Sequence, residues 1–366
     1  MPLPLPSYFD DFLKEIRPTA QRASMAKGHR ILRERLQADE HLAPGIVGMF
    51  LQGSYKRFTA VRPKDGNRAD VDLIVVTRMK ESELTPQQAM KCFVPFLEEH
   101  YQGKYRPQGR SFGIELSYVE MDLVITAAPS EAEAGMYQKL AEEEDPSLDE
   151  DAEATRVAKS DAKEEALWKV NPLRIPNREV GKWQDTDPLE QISWTRAKNG
   201  RTSGHYGNVV KALKWWRLTH ADELPEQPRG YPLEHVVGDC CPDGITSVAE
   251  GVVRTFEEIS RRYAAHASEQ RTPVLHDRGV NQNVMARVGG EDFAAFHSAV
   301  AEAAKKARRA FEAPDAATAA PIWRELLGGE FPKAPDNPGG GGPSSDGFSR
   351  NSGPSTVPVT PRFAHD

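Results

Sequence analysis

The chain has 366 residues, 39% hydrophobic and 28% charged, with a net charge of -7. That length supports one large or two medium domains, and the acidity argues against a surface devoted to holding a polyanion. The opening Met1-Pro2-Leu3-Pro4-Leu5-Pro6 is neither basic nor continuously apolar, and no later run approaches the roughly 20 apolar residues of a membrane span, so no signal peptide, no membrane contact and a cytoplasmic location are expected.

Along the chain, residues 8 to 40 carry Phe9, Phe12, Leu13, Ile16, Ile31, Leu32 and Leu36 at helical spacing and predict helix. Gly45 to Leu51, leading into Gln52-Gly53-Ser54, and Val71 to Val76 have the apolar, β-branched content of strands. Helix is predicted from about Pro86 to Glu99, and Ile114 to Thr126 alternates well enough for one or two paired strands. Strands separated by helices predict a mixed sheet covered by helices, an α/β or α+β lobe. Residues 131 to 165 hold 13 acidic against 4 basic residues, the mark of a solvated helix or insertion. From about residue 190 helical patterns dominate: 206 to 219, 231 to 237, 245 to 265, 293 to 310 and 317 to 327. Asp336 to Asp366 holds 6 Gly, 5 Pro and 5 Ser in 31 residues, too little apolar matter to fold, and is predicted to be a disordered tail.

The chemistry concentrates in Gly53-Ser54, Asp70-Val71-Asp72 and Asp122. Residues two apart in a strand project from the same face, so Asp70 and Asp72 present their carboxylates side by side. Like charges on an otherwise apolar strand repel and lose solvation unless a cation neutralises them. Hard oxygen donors suit Mg²⁺ or Mn²⁺, and Asp122, on a second apolar run, would complete a set for two such ions if the strands are adjacent. Three carboxylates at one sheet end is what two-metal phosphoryl chemistry needs. Gly53 lets the backbone approach phosphate oxygens, Ser54 adds a hydroxyl, and Tyr55-Lys56-Arg57 would open a helix with its N–H groups toward the anion.

Gln52-Gly53-Ser54-Tyr55, Asp70-Val71-Asp72 and Met121-Asp122-Leu123 resemble the signature of the polymerase-β-type nucleotidyltransferase superfamily. More closely, the chain resembles the bacterial relatives of cyclic GMP–AMP synthase and oligoadenylate synthase, the cGAS/DncV-like nucleotidyltransferases of anti-phage signalling. Further matching segments are Ile175-Pro176-Asn177-Arg178, Trp183 to Pro188, Val210 to Trp216, Tyr231-Pro232-Leu233-Glu234 and Pro321-Ile322-Trp323 leading to Gly328 to Pro332. The resemblance implies an α+β architecture: a catalytic lobe with its N-terminal helix over 1–190, a helical lobe over 191–335, and the tail over 336–366, with the site in the cleft between the lobes. It implies nucleotide contacts by Gln52, Gly53 and Ser54, a triphosphate contact by Lys214 and stacking of the donor base on Tyr231. The family often has Ser before its Tyr-x-Leu-Glu segment, where this chain has Gly230.

The function so implied is synthesis of a cyclic oligonucleotide second messenger from nucleoside triphosphates, ATP among them, with pyrophosphate release, in anti-phage defence. The implied partners are a downstream effector reached through the product, a regulatory protein, or an activating nucleic acid. Nucleotidyl transfer to RNA, protein or a small molecule is the alternative within enzymes; RNA extension calls for a basic track that the overall acidity disfavours. A catalytically inactive nucleotide-binding regulator is the alternative outside them, and it would lack one of the three carboxylates. Cys92, Cys240 and Cys241 are too few for a disulfide framework, and His235 with Cys240-Cys241 lacks the fourth ligand that a structural zinc needs. Trp215 and Trp216 read as packing.

Overall fold

The computed structural model describes residues 2–64, 66–143 and 171–334. The later part of the acidic segment and the tail from Asp336 lie outside the described residues. Among the described residues, one mixed sheet has seven strands: β1 (Ile46–Gln52), β2 (Asp70–Thr77), β3 (Tyr105–Pro107), β4 (Phe112–Glu115), β5 (Glu120–Ala127), β6 (Leu173–Asn177) and β7 (Lys182–Thr186). Their order is β1-β2-β5-β4-β3, with β6 against β5 and β7. β2 and β5 run parallel, while the other pairings are antiparallel.

Each face of the sheet buries its own apolar set. Val71, Leu73 and Val75 of β2 and Met121, Leu123 and Ile125 of β5 meet Leu32 and Leu36 of helix Arg22–Ala38 and Phe96 and Leu97 of helix Val94–Tyr101. Ile74, Val76 and Val124, of opposite parity, meet Ala134 and Tyr137 of helix Glu131–Glu143 on the other face. A third and larger core lies among helices Tyr206–Thr219, Tyr231–Cys240, Val248–Arg262, Gly290–Phe311 and Ala316–Leu327, around Trp215, Trp216, Phe256 and Trp323. Each apolar side chain so enclosed contributes about 1.5–3 kcal/mol relative to exposure.

Several elements depart from the sequence reading, and the helix expected from about Pro86 to Glu99 is two, Pro86–Lys91 and Val94–Tyr101. The helix expected over 8 to 40 is two helices, Pro6–Ile16 and Arg22–Ala38, because Pro18 has no N–H to donate and forces Arg17 into extended backbone (ψ 146°). The break sends the two pieces to different cores. Phe9 and Phe12 pack beside Trp323 and Phe331 of the C-terminal core, although Pro6–Ile16 was grouped with 1–190, while Arg22–Ala38 covers the sheet. Strands β6 and β7 fall in segments that the sequence marks only by family likeness: the alternation of β6 is confined to Leu173-Arg174-Ile175, and Lys-Trp-Gln-Asp-Thr has no period-two apolar pattern. The expected pair over 114 to 126 is present as β4 and β5, antiparallel through Phe112↔Leu123 and Ile114↔Met121.

Residues 57–64, between β1 and β2, tie the sheet to the helices. Arg62 donates to Glu330 Oε1 (3.0 Å) and Lys64 to Thr219 Oγ1 (3.1 Å), and both cations lie over the Trp215 ring, 5.0 and 4.3 Å from its centroid.

Candidate active site

Strand alternation decides where the acids face. Asp70 and Asp72 share the parity of Ile74 and Val76, and Asp122 shares that of Val124. All three therefore lie on the face covered by helix Glu131–Glu143, at the strand-start end beyond the Ile74, Val76 and Val124 side chains of that core. The parallel pairing sets Asp72 beside Asp122 in register. An oxygen of each of the three carboxylates lies within 4.8 Å of the other two, and among the described residues no other group of three His, Cys, Asp or Glu gathers so closely.

The cluster is electrostatically uncomfortable without a cation. Loss of solvation at the strand end, with the charges of Asp72 and Asp122, pushes Asp70 up to about 8, although part of its side chain stays exposed to water. Burial and then Asp72 push Asp122 up to about 6, although Gln108 Nε2 donates to its Oδ1 at 3.0 Å. Burial also raises Asp72, against the pull of Arg57 and Lys214. Converging hard oxygen donors that resist sharing negative charge fit a divalent cation of the Mg²⁺ class.

Proton linkage follows with a definite sign. A carboxyl whose folded value lies above its unfolded one stabilises the fold fully below the unfolded value and loses that contribution as pH rises through the folded value. For Asp122 the loss, which begins at the ordinary carboxyl value, is complete by about pH 6, while for Asp70 it continues to about pH 8. Metal-free protein should therefore lose stability across that window, and a saturating divalent cation held by the ionised set should raise the melting temperature more at pH 8 than at pH 6. Asp187, pushed up to about 6 mainly by burial, adds to the first trend and cancels in the comparison with and without metal. Thermal unfolding at both pH values checks it; an equal metal-induced rise would contradict the placement of the cation among these groups.

Opposite the acids, β1 ends at Gln52 and the chain turns at Gly53 with φ 79° into the single turn Gly53–Lys56. A Cβ at Gly53 would sit 1.7 Å from Oδ2 of Asp72, so the backbone lies against that carboxylate as only glycine permits. The helix expected after Ser54 is thus four residues long. Ser54 is half-buried, and its carbonyl accepts from the Thr59 amide at 2.9 Å, folding 54–59 back on itself. Gln52 pairs across from Asp72, and among the described residues nothing hydrogen-bonds its buried Oε1.

From the helical side come Lys214 and Tyr231. Lys214 is mostly buried, donates to Glu234 Oε1 and to the Thr59 carbonyl (3.1 Å), and acts electrostatically on Asp72. Lys211, one turn earlier on the same helix, is also buried. The Tyr231 ring has the Arg57 guanidinium over it at 4.9 Å and the His235 ring edge-on at 4.6 Å, and its hydroxyl donates to Asp277 Oδ1 at 2.5 Å. Gly230, at φ 56°, precedes the helix in a conformation that strains any serine, which gives the departure from the family pattern a backbone reason. His235 turns to Tyr231 and Asp277, while Cys240 and Cys241 are buried in the helical core.

The structure thus joins Asp70, Asp72, Asp122 and Gly53 directly, while Lys214 pairs with Glu234 and acts on Asp72 through its charge. Sequence reasoning did not single out Arg57, Gln108, Glu234 and Asp277. Glu234 stood three residues after Tyr231 in a segment already noticed, one helical turn away on the same face. Gln108 and Asp277 lie outside the regular strands and helices and carry no pattern that could have shown them.

A family model described as the Second Messenger Oligonucleotide or Dinucleotide Synthetase domain matches residues 3–135. A cyclic AMP-AMP-GMP synthase of Enterobacter hormaechei subsp. hoffmannii is 42% identical over 381 residues, covering 97% of this chain and 98% of that protein. The solved structure of the CD-NTase CdnG of Bradyrhizobium diazoefficiens in complex with GTP superposes with a TM-score of 0.64 at 12% identity, over 88% of this chain and 95% of that one. That of Escherichia coli MS115-1 CdnC with HORMA-deltaN has a TM-score of 0.58 at 15% identity, over 90% and 99%. The fold likeness and the close sequence relative agree with the geometry, and the chain belongs to the cGAS/DncV-like nucleotidyltransferases, the cyclic oligonucleotide synthases that make second messengers from nucleoside triphosphates.

Proposed function

We propose that this enzyme condenses ATP and GTP into a cyclic trinucleotide of two adenosines and one guanosine, with Asp70, Asp72 and Asp122 holding two Mg²⁺ ions. The observation that carries the site is the convergence of the three carboxylates opposite the Gly53 turn. The product follows from the relative at 42% identity over nearly the whole chain. Bound there, the ions supply acidity to an attacking ribose hydroxyl and neutralise the triphosphate. The protein's own part is positioning. Gly53 and Ser54 bring backbone and hydroxyl to the terminal phosphates, Lys214 adds a positive charge to the same oxygens, Gln52 faces the substrate, and Tyr231 offers a ring to the donor base. In each transfer a ribose oxygen bonds to the α-phosphorus as the bond to the β-bridging oxygen breaks, and pyrophosphate leaves. Three transfers close the ring.

The catalytic lobe in this proposal is the sheet half up to about residue 190, the helical lobe is 191–335, and 336–366 is a tail. The product acts as an anti-phage signal read by a downstream effector, and a regulatory protein of the kind bound by CdnC governs the enzyme. Mass spectrometry of products formed from the four NTPs with Mg²⁺ tests the reading. A phosphatase-resistant species of mass two AMP plus one GMP less three waters, absent from the Asp70→Ala, Asp72→Ala double variant, is expected. A ring of adenosines alone would overturn the base choice, and unchanged products from the double variant would overturn the site.

A further inference from the structure

Two buried cations from different halves of the molecule end on one carboxylate. Arg57, just after the Gly53–Lys56 turn, donates from Nε to Glu234 Oε2 at 3.1 Å, and Lys214 donates to Oε1. The side chains of Arg57, Glu234 and Lys214 are only 5%, 7% and 12% exposed. Asp72 stands next to them and feels the positive charges of Arg57 and Lys214 and the negative charge of Glu234. Counting formal charges, Arg57 and Lys214 balance Glu234 and Asp72.

Buried cations need a partner, because a lone charge away from water is costly. After Glu234, the carboxylate whose charge acts on both cations is Asp72. A carboxylate bonded to an arginine and a lysine has fewer lone pairs for a metal and sits in a positive field that repels one. Glu234 also holds Arg57 over Tyr231 and, through Lys214, the Thr59 carbonyl whose own amide closes the Ser54 turn.

We infer that Glu234 is a positioning residue that holds Arg57 and Lys214 off Asp72 and so leaves the Asp72 carboxylate open to a divalent cation. This rests on the reading that the three aspartates bind metal, and the experiment separates the two. Mn²⁺ is titrated calorimetrically into full-length protein without nucleotide, with thermal unfolding recorded for every variant. Wild type should bind and Asp72→Asn should not; absence of wild-type binding would overturn the metal reading and this inference with it. Glu234→Gln should weaken Mn²⁺ binding about tenfold or more, the range seen when partners behind a ligand are lost. Adding Lys214→Met to Glu234→Gln restores the charge balance and should return affinity toward wild type, although Lys214 is needed for turnover. Lys214→Met alone should bind Mn²⁺ more tightly than wild type. A merely structural tie between the two halves predicts the opposite order, with the double variant the least stable and no better at binding Mn²⁺ than Glu234→Gln. Wild-type affinity in Glu234→Gln, or no recovery in the double variant, would overturn the inference. If Glu234→Gln does not fold, unchanged affinity in Lys214→Met overturns it by itself.

Discussion

Asp72→Asn is expected to slow cyclic product formation by about three orders of magnitude or more at saturating Mg²⁺ and NTP, because charge stabilisation by a bound metal is worth several kcal/mol and each 1.36 kcal/mol is tenfold in rate. Asparagine keeps the size and one acceptor oxygen, so packing beside Asp122 survives and only the charge is lost. The same change should make the metal-free protein more stable at pH 8. Asp72 is one of three acids crowded within 4.8 Å, and burial holds it above its ordinary range. Relief of that repulsion is worth about 1 kcal/mol after solvent screening at the accessible end of the cluster. Single-turnover rates and thermal unfolding in chelator measure the two effects together. A slow variant that is also less stable would point to damage of the fold, and a variant of near wild-type rate would remove Asp72 from the chemistry.

Gly53→Ala should impair both stability and catalysis. Its φ of 79° strains any L side chain, and the added methyl would overlap Asp72 Oδ2 at 1.7 Å. Strain of this kind costs about 1–3 kcal/mol. The larger effect is on rate, since either the turn or the carboxylate must move, and a displacement of about 1 Å among reacting groups costs roughly a hundredfold. Gly103→Ala is the control: φ is 69° there as well, but a Cβ would meet nothing within 4 Å. It should lose stability and keep its rate. Equal rates for Gly53→Ala and Gly103→Ala would show that the contact with Asp72 has no part in catalysis.

Much of the candidate site is visible in local pattern. Asp70 and Asp72 share a strand face because of the two-residue repeat, and a glycine after an apolar run marks a sharp turn; neither needs a tertiary contact. Where a pattern fails, a local conflict or a polar strand explains it. Pro18 breaks a helix whose apolar spacing continues on both sides, and periodicity is blind to which core each piece joins. β6 alternates only over Leu173-Arg174-Ile175 and β7 not at all, so both are defined by pairing with β5 and with each other.

The charged network shows the limit most plainly. Arg57 and Glu234 are 177 residues apart, and each alone looks like a solvated surface charge. They become buried partners only because the segment after Gly53 reaches the helix that starts at Tyr231. The sequence by itself determined the chemistry on offer, since residue type and strand parity are local properties: three acids of matching parity, a glycine turn, and a helical second half. The tertiary structure alone decided that β2 and β5 run parallel with Asp72 beside Asp122, and that Lys214 and Arg57 meet on Glu234. Register and long-range ion pairs are set by how whole elements pack, and no window of neighbouring residues contains that information.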